Sequence, residues 1–230
     1  MNMSDTTFSN FIYLFIIYNI QTYLVIFFLD NIIHKINFNG KWFQLHFLVN
    51  AIIVALSFID IKECLIKPAN SLVTVENYYA GAFAVMLHLY HTIFYKLTPM
   101  DIFHHSIFVM GMIPLTLNYQ KKGLSFVYFF VTGLPGGIDY LLLSLMKNNK
   151  INYITEKNIN SYLNAYIRMP GGFIGSYLIF KDAFILKDCF YTNILLSGII
   201  FYNSAYFGKM AIENNIERKY RNAYIKSDIL

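Results

Sequence analysis

The sequence predicts an all-α fold, a polytopic transmembrane helix bundle of about seven spans. Three observations carry this. Of 230 residues, 57% are hydrophobic and 13% charged, against roughly 45–50% apolar and about 25% charged in soluble domains. A soluble domain of this size still has to clothe its surface in polar groups, so such an excess must face something other than water. The apolar residues also gather in stretches close to the roughly 20 residues that cross a hydrocarbon layer about 30 Å thick. Charge and turn clusters separate these stretches.

In chain order the expected spans are 8–29, 42–59, 78–97, 102–118, 124–146, 162–180 and 189–208. The first follows an N-terminus with Asp5 and no Lys or Arg, and it is longer than a signal-peptide core, so it reads as a retained span. It carries Asn19, Gln21 and Thr22, and the fourth is short, which leaves an interfacial or re-entrant placement open for either. The organisation is then a first helix and loop over 1–41, a six-helix membrane domain over 42–208 and a basic tail over 209–230, expected as a short surface helix. Frequent Asn, Ile, Lys, Phe and Tyr read as a codon bias toward A and T, so single Asn and Tyr residues receive little weight.

Lys35, Lys41, Lys96, Lys147, Lys150, Lys157 and the tail cations Lys209, Arg218, Lys219, Arg221 and Lys226 fall on one side of a seven-span topology. Lys62, Lys67, Lys121, Lys122, Lys181 and Lys187 fall on the other. The richer side is expected to be cytoplasmic, which places the C-terminus there and the N-terminus in the lumen or outside. The net charge of +5 is thus mostly topology, and no nucleic-acid partner is expected. Cys64 and Cys189 lack metal-like spacing.

Ionisable and helix-breaking residues inside apolar spans are costly, so they mark the candidate site. In the third span Gly81, Ala84, His88, His91 and Tyr95 recur at helical spacing, placing small residues and polar rings on one face. Next comes Thr98-Pro99-Met100-Asp101-Ile102-Phe103-His104-His105, where Asp101 is an N-cap or first-turn acid and a carboxylate that could orient or charge-stabilise an imidazole for general-base work. Gly133-Leu134-Pro135-Gly136-Gly137 precedes Asp139 in the fifth span, and Arg168-Met169-Pro170-Gly171-Gly172 interrupts the sixth. Each Pro removes a helical hydrogen bond and each Gly pair permits an unwound turn. Asp139 and Arg168 form either an ion pair or the wall of a polar cavity.

Asp101-Ile102-Phe103-His104-His105, the Thr132-Gly133-Leu134-Pro135 segment and Tyr166-Ile167-Arg168, in that order, resemble the TRAM–Lag–CLN8 (TLC) domain family over roughly 42–208. Phe108 stands where ceramide synthases of that family carry Thr, and the acidic position before Pro135 is Gly or Thr. The resemblance implies an endomembrane lipid-handling bundle, in the endoplasmic reticulum or a related membrane. Its members are acyltransferases or non-catalytic regulators of membrane lipid composition. In the acyl-transfer version His104 or His105 is base or nucleophile, with Asp101 and Asp139 as catalytic partners and His88, His91 and Arg168 on the substrate. Membrane lipids are the expected partners, with acyl-CoA as donor; self-association stays open, and neither cofactor nor metal is expected. Two alternatives come from the residues themselves. One is a small-solute transporter with broken helices at Pro135 and Pro170. The other, a histidine-ligated metal oxygenase, needs more than the six histidines present, two of which, His34 and His46, read as remote.

Overall fold

The computed structural model describes residues 5–36, 39–64, 72 and 74–227. Seven helical rods account for nearly all of them, and no strand occurs among the described residues. They are α1 (Asp5–Lys35), α2 (Lys41–Cys64), α3 (Val75–Phe94), α4 (99–118), α5 (123–147), α6 (153–185) and α7 (190–227). Four contain a segment long and apolar enough to cross a membrane, Tyr13–Lys35, Lys41–Cys64, Pro99–Leu117 and Gly123–Lys147. This is consistent with an integral membrane protein and is fewer than the seven spans expected. The other three are diluted by polar residues, such as Asn77, His88 and His91 in α3 and Asn193 and Asn203 in α7. Large apolar side chains such as Phe28 and Met110 stand outward, as an apolar solvent allows.

Local chemistry sets the helix ends. Gly40 reaches φ +72°, a left-handed conformation that β-carbons oppose, and so turns the chain into α2. Thr74 caps α3 by accepting from the Asn77 amide. Thr98 and Asp101 form a capping box at α4, with Pro99 in the first turn, where a missing N–H costs nothing.

Helices α2 to α7 close into a ring: α2 packs on α3 and α5, α5 on α6, α6 on α7, α7 on α4, and α4 on α3. Helix α1 lies outside it against α2 and α3. Two polar residues of α1, Gln21 and Asp30, are partnered there. Tyr79 donates to Gln21 at 2.6 Å, and Tyr90 and Tyr95 both donate to Asp30, at 2.7 and 2.6 Å.

The Pro-Gly-Gly segments do not unwind. Wider π-helical turns occupy Ser106–Met112, Tyr128–Gly133 and Asn164–Arg168, and Pro114, Pro135 and Pro170 follow directly in the first turn of the next α-helical stretch. A π-turn makes room for the proline ring without parting the helix. The paired glycines serve close approach instead: a β-carbon on Gly171 would strike Phe130 of α5, and one on Gly172 would strike Ser204 of α7. Nor is there a separate tail helix. The rod α7 continues through Ser227, roughly 57 Å in all, and its polar end packs on 153–163, with Asn215 donating to Ser161 at 2.8 Å and Lys219 to Asn158 at 2.7 Å.

Candidate functional site

A cavity of about 260 Å³ lies inside the ring, at the end where α2 and α4 begin and α3 and α5 finish. All six ring helices line it: His46 and Asn50 from α2, His88 from α3, Asp101 and His104 from α4, Asp139 and Tyr140 from α5, Arg168 from α6, and Asn203 and Phe207 from α7. Five of the expected residues therefore meet in one space: His88, Asp101, His104, Asp139 and Arg168. His91 and His105 sit behind its wall. His91 stacks against Trp42, ring centres 3.7 Å apart, and His105 pairs through Nδ1 with the Thr92 hydroxyl at 2.8 Å. Tyr95, expected on the same face as the histidines, instead reaches α1.

Asp101 does not orient either histidine. Its Oδ2 accepts from the Thr98 amide at 2.8 Å and the Thr98 hydroxyl at 2.7 Å, so the cap engages this oxygen. Nor do Asp139 and Arg168 form an ion pair. Arg168 Nε donates to the Val131 carbonyl at 3.1 Å, and one terminal nitrogen donates to Asn164 at 3.2 Å. Val131 stands four residues before Pro135, whose ring nitrogen has no proton to give that carbonyl. The guanidinium thus repairs the proline's missing bond while its other terminal nitrogen has no partner among the described residues. A β-carbon on Gly136 would lie 3.1 Å from the Asn50 amide nitrogen and 3.7 Å from Arg168, so glycine keeps this wall open.

Three polar atoms of lining residues are buried without a hydrogen-bond partner: His46 Nε2, Asn50 Oδ1 and Asp139 Oδ1. Buried polar atoms normally pair, and leaving one unsatisfied costs about 1–3 kcal/mol. The three residues that carry these atoms line one cavity together with the Arg168 side chain.

His46, read as remote, belongs to this site. It is held between Trp42, at 3.7 Å, and Tyr140, at 4.0 Å. A signal existed: His46 and Asn50 are four residues apart and share one face of α2. Discounting single Asn and Tyr residues as compositional bias concealed Asn50, Tyr140 and Asn203. His34 is truly remote and accompanies Asp30.

No protein-family model, curated protein or solved structure matches the chain. Among the described residues, no three His, Cys, Asp or Glu side chains converge as a metal site. The helices run unbroken through Pro135 and Pro170, so the transporter reading loses the discontinuity that motivated it.

Proposed function

We propose that the protein is a lipid-handling membrane protein of TLC type, with seven spans, whose ring cavity takes the polar headgroup of a membrane lipid. The observation that carries this is the set of unpartnered atoms on His46, Asn50 and Asp139, three residues that line one cavity with Arg168 and His104. Such a surface suits an amphiphile, whose headgroup replaces the missing hydrogen bonds and whose chains stay among apolar helices. The charge bias of the loops supports a cytoplasmic C-terminus and a lumenal N-terminus, and the resemblance to TLC proteins favours the endoplasmic reticulum or a related membrane.

In its catalytic form the reading is acyl transfer. A headgroup amine or hydroxyl attacks an acyl thioester carbonyl, its proton passes to His104, and the thiolate leaves and takes up that proton. Mass spectrometry of lipids co-purifying with the protein tests the headgroup site. One lipid class is expected with the wild type, and its loss with Asp139→Asn and with Arg168→Met. The same lipid content in all three would overturn the proposal. Lipid profiles of cells expressing His104→Ala test the catalytic form, which an unchanged profile relative to wild type would sink. Uptake of a small solute into proteoliposomes that depends on Asp139 or Arg168 would favour transport instead.

A further inference from the structure

His88 contacts both members of the histidine pair through different atoms. Its Nδ1 lies 2.7 Å from the Ala84 carbonyl, which can only accept, so Nδ1 carries the ring proton. Its Nε2 lies 3.1 Å from His104 Nε2. No carboxylate forms an ion pair with either ring among the described residues, and in the neutral state His88 Nε2 offers only a lone pair. His104 Nε2 is then the donor, which leaves the lone pair of His104 on Nδ1. The His88 backbone oxygen anchors the neighbour in the opposite sense. The Thr92 hydroxyl spends its single proton on that oxygen at 2.8 Å, so His105 Nδ1 must donate to Thr92 and its lone pair lies on Nε2. Phe108 stacks on the His88 ring at 3.9 Å and 17°, fixing its plane.

We propose that His88 is a positioning residue. Its ring locks His104 as the Nε2–H tautomer, so that Nδ1 of His104 is the nitrogen offered to the lipid headgroup. The proposal rests on the headgroup reading for its purpose, but not for its test. Two adjacent histidines, identical in sequence terms, are thereby made chemically unlike: His104 lines the cavity, with no hydrogen bond to its Nδ1 among the described residues, while His105 is turned into the wall.

The experiment is nitrogen-15 NMR of the full-length chain, ring-labelled on histidine and held in lipid nanodiscs, with His104 assigned by the signals lost in His104→Asn. A single Nε2–H form is expected at His104 in the wild type. His88→Phe should convert it to a mixture of tautomers, and His88→Gln, whose amide oxygen can still accept, should restore it. Thr92→Val should release His105 while leaving His104 unchanged. An Nδ1–H form at His104 in the wild type, or an unaltered His104 in His88→Phe, overturns the assignment. Where His88→Phe fails to fold, the wild-type tautomer alone decides. Failure of the headgroup reading would appear separately, as absence of co-purifying lipid with the tautomer intact.

Discussion

The two ends of the ring differ in how far their buried polar groups are paired. At the far end, where α2, α4 and α6 finish, Asp60 is fully buried; its Oδ2 takes hydrogen bonds from the Thr74 amide at 3.2 Å and the Ser125 hydroxyl at 3.3 Å. Lys122 faces its other oxygen at 3.9 Å and forms an ion pair with Glu63. Asn77 donates to Ser125 at 2.5 Å, and Tyr119 donates to Asp182 at 2.5 Å. These contacts hold loops and helix ends together, although Asp60 Oδ1 has no hydrogen-bond partner among the described residues and only the Lys122 ammonium nearby. At the cavity end His46, Asn50 and Asp139 each keep a buried atom unpaired, and the two opposite charges stay apart. Similar residue types thus pair more fully at one end than at the other, and the less fully paired end is the one that holds the cavity.

Substitutions at the two ends test that contrast. The largest effect is expected for Asp60→Ala, which removes one of the two carboxylates facing Lys122 and strands two donors, the Thr74 amide and the Ser125 hydroxyl. Breaking a buried pair costs on the order of 3–5 kcal/mol, read as a steep loss of thermal stability in detergent or nanodiscs; a change below about 1 kcal/mol would erase the distinction. Tyr119→Phe removes a hydrogen bond to a carboxylate and should cost roughly 1.5–3 kcal/mol in the same assay, with co-purified lipid unaltered. Arg168→Met belongs to both categories. It frees the Val131 carbonyl, for about 1–3 kcal/mol, and should also lose lipid. Asp139→Asn sharpens the comparison furthest, because that side chain has no ion-pair partner to lose. Its stability should change by less than about 0.5 kcal/mol while lipid retention disappears.

The smallest effect at neutral pH comes from Lys122. Its hydrogen bond to Glu63 holds the ammonium above the usual lysine range, against the opposing effect of burial. Because the folded value is raised, this stabilisation is complete below the ordinary lysine value of about 10.4 and is lost as pH rises through the folded one. A thermal-stability curve flat through neutrality and falling only in strong alkali is expected, with Lys122→Met removing that fall. A fall of equal size in the variant would assign it to other groups.

Much of the site was legible because it rests on cost. A charged or imidazole side chain in an apolar stretch stands out from its neighbours, and Asp101, His88, His104, Asp139 and Arg168 were identifiable for that reason. Partnerships were not legible. The Asp101 carboxylate is engaged by Thr98, three residues away, a local capping competition that His104 and His105 lose. His105 and His91 turn into packing, and His46 joins the site only through the closure of α2 against α5.

Composition and the spacing of apolar stretches alone determined that this chain is helical and bilayer-suited, and where its scarce polar residues lie along each rod, because these are local sums over a single segment. Tertiary structure decided which of those residues meet. Each π-turn before Pro114, Pro135 and Pro170 inserts about one extra residue into a turn and so rotates all that follows by roughly 100°, which defeats face assignment from a constant 3.6-residue period. Glycine contacts at Gly136, Gly171 and Gly172 then set how closely the rods approach. That geometry, rather than the presence of Asp139 and Arg168, keeps the two charges apart and leaves a cavity between them.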